Sequence, residues 1–208
     1  MPGQWGLYIA IAGSLAATVL AALLGPWVLV PSLVGLALAW AYSAPPLRLK
    51  RNGWAGNAAV GFSYETLPWI TAAAAATGGS VSMEIMVVAL LYGIGAHGIM
   101  TLNDFKSMEG DRQFGIDSLP VLLGAPNAAR VAALVMLLPQ FGVLLLLAQG
   151  GSRLAALLLA GLIAAQIACL PRLLRDPRAH AVWYSGIGVG LYVSGMMVAA
   201  SAIATFPQ

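Results

Sequence analysis

Apolar runs long enough to cross a bilayer follow one another along the whole chain, and nothing else constrains its fold as strongly. A hydrocarbon core of about 30 Å takes roughly 20 helical residues. The runs fall at about 5 to 24, 27 to 42, 56 to 77, 84 to 102, 127 to 149, 153 to 170 and 181 to 204. They are continuous and rich in Ala and Leu, whereas barrel strands would alternate over about 10 residues. The expected fold class is therefore all-α, a polytopic transmembrane helical bundle of about seven spans. The second run is short, which suits a helix that is tilted or partly covered by its neighbours. Of the 208 residues 60% are hydrophobic and 8% charged, against roughly 25% charged in an average soluble domain. No stretch remains for a soluble domain, so a single integral membrane domain over 1–208 is expected.

The first run has no basic region before it, and "MPGQWGLY" places Trp5 and Tyr8 where an interfacial anchor belongs, so it reads as a retained helix and not as a signal peptide. Cys169 is the single cysteine and lies in an apolar run, which excludes an internal disulfide or a cysteine metal site; it reads as a small packing residue.

The ten Lys and Arg residues test the span count, because cytoplasmic loops collect positive charge. Arg48, Lys50 and Arg51 follow the second run, Lys106, Arg112 and Arg130 lie about the fourth-to-fifth connection, and Arg172, Arg175 and Arg178 lie between the sixth and seventh. All nine fall on one face and Arg153 alone on the other, which predicts a cytoplasmic N-terminus. The net charge of +3 is then membrane orientation, and no nucleic-acid partner is implied.

Against this background the acids stand out. Four of the seven Asp and Glu residues, Asp104, Glu109, Asp111 and Asp117, fall within "NDFKSMEGDRQFGIDSLP". If the fourth span continues helically through this segment, Asp104 and Asp111 lie two turns apart on one face, with His97 seven residues earlier on the same stripe and Asn103 and Glu109 beside it. Hard oxygen ligands at a membrane boundary suit Mg²⁺, which takes one or two carboxylates and is completed by water and substrate phosphates. Acids beside Lys106 and Arg112 also suit a merely solvated loop. On the same face, "YSAPPLRLKRNGW" ends a helix at Pro45 and Pro46 and offers Arg48, Lys50 and Arg51 to phosphate oxygens, although bases after a span equally obey the orientation rule. Glu65 in "GFSYETLPW" lies within a span, where an ionisable residue usually faces the bundle interior or a cavity; a protonated or paired packing residue is the alternative. His97 reads most simply as a satisfied interior histidine, with ligand or acid–base roles as alternatives. His180 reads as interfacial, Glu84 as an acid at a helix start, Asp117 as a possible cap, and the three arginines from 172 to 178 as topology.

With both polar segments in hand, the chain resembles the UbiA superfamily of intramembrane prenyltransferases, and within it the chlorophyll and bacteriochlorophyll synthases. The resemblance is carried by "AYSAPPLRLKRNGWAGN", "SYETLPWITAAA", "GAHGIMTLNDFKSMEGDRQFGIDSLPVLLG" and "WYSGIGVGLYVSGMM" and runs from Pro2 to about residue 204. It implies a nine-span bundle that transfers a prenyl group from geranylgeranyl or phytyl diphosphate to the propionate of a (bacterio)chlorophyllide, with Mg²⁺ as cofactor. By resemblance Asn103, Asp104, Glu109 and Asp111 form the second Asp-rich segment, with Asp104, Glu109 and Asp111 at the metal, and Tyr42, Arg48, Lys50 and Arg51 match the family's tyrosine and basic residues. Asp104, Asp111 and Lys50 are the expected catalytic residues, and Lys106, Arg112, Glu65 and His97 join the substrate-binding set. Relatives carry two further spans and a first Asp-rich segment before the position of Pro2, so a misplaced start or a fragment is expected. The partners implied are both substrates, the bilayer, and other pigment-synthesis or photosystem assembly proteins, in a bacterial inner or intracytoplasmic membrane. A prenyltransferase for quinone precursors or haem, or a pigment- or lipid-diphosphate-binding protein without turnover, are the alternatives.

Overall fold

The computed structural model describes residues 3–204; residues 1, 2 and 205–208, which the single-domain expectation includes, lie outside that range. The described chain is helical with no named strand. Six helices are long and apolar enough to span a membrane: α1 (Gly3–Leu23), α2 (Pro26–Ser43), α5 (Met83–Asp104), α7 (Leu119–Gln149), α8 (Arg153–Arg175) and α9 (Pro177–Ile203). The remaining expected span, third in chain order, is composite. It runs through α3 (Gly53–Gly61), a π-helical turn at Phe62–Thr66, and α4 (Leu67–Thr77).

The punctuation follows the sequence. Gly25 takes φ 104° before Pro26 starts α2, the proline occupying a position whose N–H has no helical partner anyway. Asn52 and Ser82 cap α3 and α5 by accepting the amides of Ala55 at 3.0 Å and Ile85 at 3.4 Å. The fifth span begins earlier than expected from the apolar run, because helix resumes at Leu119 and is only kinked at Gly124, whose φ of 74° and ψ of 156° are non-helical.

The buried core lies between α5, α7, α8 and α9. Small residues let α5 pack at the centre: a Cβ on Gly98 would stand 2.5 Å from the Ala132 carbonyl of α7, and one on Gly61 would stand 2.5 Å from the Gly93 carbonyl. Such close backbone approach is how helices associate in lipid, where apolar contact gives no preference for protein over acyl chains. Gln140 and Gln166 exchange two hydrogen bonds of 3.0 and 2.9 Å between α7 and α8. By contrast α1 and α2 have only 6% of their spanning windows buried, so the short second span lies at the periphery, partly covered by α1 and α4.

One end of the bundle gathers the polar loops. The Gly53 amide donates to the Asp117 carbonyl at 2.7 Å and the Asp117 amide to the Arg51 carbonyl at 2.9 Å, joining the segment after α2 to the segment before α7. Asp117 therefore acts through its backbone, and Ser118 is the residue that precedes α7. The short helix α6 (Met108–Phe114) lies at this end too, with Arg178 of α9 bordering the same small cavity as Lys106 and Arg112.

Candidate active site

The helix carrying Asp104 does not continue through the acidic segment. It stops at Asp104, turns through Phe105–Ser107, and restarts as α6. Phe105 packs against the core while Ser107 donates its hydroxyl to Asp111 Oδ2 at 2.9 Å. The turn, not a continuous helical stripe, thus brings Asp104 and Asp111 to one cavity of about 200 Å³, together with Tyr42, Lys50, Asn52, Gly53, Asn57 and Ser107. Arg48, two residues before Lys50, has φ 42°, a conformation that costs a non-glycine residue energy and is typical of functional segments.

The two carboxylates have neutral donors. Asn57 donates to Asp104 Oδ2 at 3.0 Å and to Thr101 Oγ1 at 3.3 Å, and Ser107 serves Asp111. Asp111 is 9% and Asn57 5% exposed, so negative charge is held in a confined place where a cation would compensate it. Among the described residues no group of three or more His, Cys, Asp and Glu side chains that could hold a metal is present. Two carboxylates leave positions for water and phosphate oxygens, a donor set of the kind Mg²⁺ takes.

The other expected site residues divide among neighbouring places. Glu109 borders a second small cavity, about 260 Å³, with Lys106, Arg112 and Arg178. Asn103 accepts from Lys106 Nζ at 3.2 Å, and Arg51 donates to the Gly115 carbonyl at 3.4 Å. Glu65, in the π turn, lines a cavity of about 480 Å³ with Tyr42, Ser63 and Tyr64. His97 lines a fourth, apolar cavity of about 990 Å³ with Trp54, Ala58, Phe62 and Leu90. Tyr42 borders both the carboxylate cavity and the Glu65 cavity, and Asn52 both the carboxylate cavity and the apolar one, so these spaces adjoin. Asn57, Thr101 and Ser107 were not singled out by the sequence reading. An asparagine in the apolar "WAGNAAV" carries the same signal that drew notice to Glu65.

A membrane-spanning helical bundle with a carboxylate pair and a lysine at one polar end, opening beside apolar cavities, defines a class: membrane-embedded proteins built to handle a molecule with an anionic head and an apolar body. The chain belongs to the UbiA prenyltransferase family, whose model matches residues 2–203. It is 50% identical over 203 residues to the bacteriochlorophyll synthase 33 kDa chain of Cereibacter sphaeroides, covering 98% of this chain and 67% of that one. It is 46% identical over 171 residues to the bacteriochlorophyll synthase 34 kDa chain of Chloroflexus aurantiacus, covering 82% and 54%. With the chloroplastic chlorophyll synthase of Arabidopsis thaliana it shares 40% identity over 178 residues, covering 85% and 46%. A solved structure of a digeranylgeranylglyceryl phosphate synthase shares the fold, with a TM-score of 0.65 at 18% identity over 97% of this chain and 69% of that one.

Proposed function

We propose that this protein esterifies a (bacterio)chlorophyllide, transferring a geranylgeranyl or phytyl group from its diphosphate to the propionate carboxylate of the tetrapyrrole. The relatives named bacteriochlorophyll and chlorophyll synthase support the substrate class. The observation that carries the chemistry is the convergence of Tyr42, Lys50, Asp104 and Asp111 on one cavity that adjoins two apolar ones.

In this reading Asp104 and Asp111 hold Mg²⁺, which when bound neutralises charge on the diphosphate and makes it a better leaving group. Lys50 directs its ammonium at the phosphate oxygens, and Tyr42 stands at the boundary between the polar and apolar spaces. The bond from the allylic carbon to the diphosphate oxygen breaks, and the electron pair leaves with inorganic diphosphate. A propionate oxygen forms the new C–O bond. The nucleophile is already an anion at neutral pH, so no proton has to be removed and no strong base is needed. Stabilising the developing negative charge in a confined site is the main service the protein provides. Glu109, in the cavity with Lys106, Arg112 and Arg178, serves the approach of the diphosphate and not the metal.

The basic residues gathered at the site end support a cytoplasmic active site and N-terminus, in a bacterial inner or intracytoplasmic membrane. The test is to incubate membranes containing the protein with geranylgeranyl diphosphate, Mg²⁺ and a mixture of bacteriochlorophyllide, chlorophyllide, a quinone precursor and haem. Mg²⁺-dependent ester on the chlorophyllides supports the proposal. A prenylated quinone precursor or haem as the product would overturn it, and so would tight pigment binding with no ester at all.

A further inference from the structure

We infer that His97 is the axial ligand to the central metal of the tetrapyrrole, seated in the apolar cavity of about 990 Å³. This deepens the proposed function and rests on it, since the metal is part of the substrate.

The cavity lies at the upper end of the roughly 300–1,000 Å³ of small-molecule pockets, which suits a large rigid body. Its walls are mostly Ala, Leu, Val and Ile, with Trp54 and Phe62. Three polar residues border it: Asn52, Thr66 and His97. The first two are committed. Asn52 Oδ1 accepts the Ala55 amide at 3.0 Å, and the Thr66 hydroxyl donates to the Ala89 carbonyl at 3.1 Å. His97 is 9% exposed and is the remaining polar residue on the wall; its Nδ1 is enclosed, so Nε2 is the nitrogen that would meet a ligand in the cavity.

The chemistry of a metallated tetrapyrrole meets this site. Four ring nitrogens occupy the in-plane positions of the metal, and an axial position remains for a neutral donor. Neutral imidazole is the commonest side-chain metal ligand. Trp54, whose ring centroid lies 5.5 Å from that of His97 with the planes 34° apart, adds a flat apolar surface beside the imidazole. Position along the helix fits as well. His97 precedes Asp104 by seven residues, about 10 Å along the axis, and Asn52 borders both the apolar and the carboxylate cavities. A macrocycle held at His97 would therefore lie at a distance that a propionate arm on its rim can bridge toward the diphosphate.

The test compares a magnesium chlorophyllide with the corresponding metal-free pheophorbide, in the wild-type protein and in His97→Ala and His97→Phe. The wild type should bind the magnesium pigment at least tenfold more tightly than pheophorbide and shift its coordination-sensitive resonance Raman bands to those of an imidazole adduct. Both variants should lose the preference and the bands while binding pheophorbide as before, and added imidazole should restore the bands in His97→Ala. Unchanged bands and an unchanged preference in both variants, in a protein whose wild type makes ester, would overturn the inference and leave the proposed function standing. A wild type that neither binds nor esterifies either pigment would overturn both.

Discussion

Asn57→Leu isolates the support of the carboxylate pair from the pair itself. The substitution removes both donations of the asparagine, to Asp104 at 3.0 Å and to Thr101 at 3.3 Å. Thr101 keeps its own bond to the His97 carbonyl at 2.9 Å, and leucine is at home in an apolar span, so the fold should survive with its thermal midpoint in detergent lowered only by the loss of the bond to Asp104. Asp104 loses the one donor to its carboxylate among the described residues. A hydrogen bond to a charged acceptor is worth about 1.5–3 kcal/mol, which is roughly 10- to 150-fold at about 1.4 kcal/mol per tenfold. Partners of metal ligands show the same scale, about 10–100-fold in affinity or activity. Ester formation should be followed against Mg²⁺ concentration. The expected result is a shift of the half-saturating Mg²⁺ upward by one to two orders of magnitude, with part of the rate recovered at high Mg²⁺. Thr101→Val, which leaves Asn57 bonded to Asp104, should shift it far less. A normal melt with an unchanged Mg²⁺ dependence in Asn57→Leu would refute the positioning role.

Three further outcomes follow from the same structure. Asp104→Asn should abolish Mg²⁺-dependent ester formation whereas Glu109→Gln should lower it only severalfold and through substrate affinity; equal losses of turnover in steady-state kinetics would place Glu109 at the metal after all. Gly61→Ala drives a methyl to 2.5 Å from the Gly93 carbonyl and should cost about 1–3 kcal/mol as an overpacking change, read as a lowered melting temperature in detergent. Gln140→Leu strands the amide of Gln166, and because bonds of this kind in membranes average about 0.6 and reach about 1.7 kcal/mol, the double substitution Gln140→Leu with Gln166→Leu should melt above the single one; additive losses in the double-mutant cycle would show that the pair is not coupled.

Spans and site differed in how well the sequence exposed them. Length and apolarity alone decide whether a helix can cross a bilayer, so the runs gave the helices to within a few residues except where polarity is mixed. The third span begins at Gly53, three residues before its apolar run, because Asn52 caps it and the backbone pairs with Asp117. The fifth reaches back to Leu119 across a glycine kink that an apolarity count cannot see. Of the residues lining the carboxylate cavity, Asp104, Asp111, Tyr42 and Lys50 were legible as residue types on one face. Their grouping was not, because the turn at Phe105–Ser107 replaces the helical spacing from which a shared stripe was inferred. The same turn removes Glu109 to the neighbouring cavity. Asn57 escaped notice because a single amide in an apolar run has no partner until the opposing helix is known.

That opposing register is where the third span does its distinctive work. It runs antiparallel to α5, and its polar residues meet α5 at successive depths: Asn57 opposite Thr101 and Asp104, Gly61 opposite Gly93, and Thr66 opposite Ala89. A regular helix would keep a residue every 3.6 positions on that face. The π turn at Phe62–Thr66 adds a residue to the turn, as such bulges commonly do near functional sites. Thr66 thereby keeps its bond to α5 while Glu65 lines the cavity it shares with Tyr42. The same span supplies Ala59 to both that cavity and the one bordered by His97. One irregular helix therefore serves as the partition between two apolar spaces and, through Asn57, as a wall of the polar one. Changes within it should alter how the substrates are placed relative to each other before they alter whether the bundle folds.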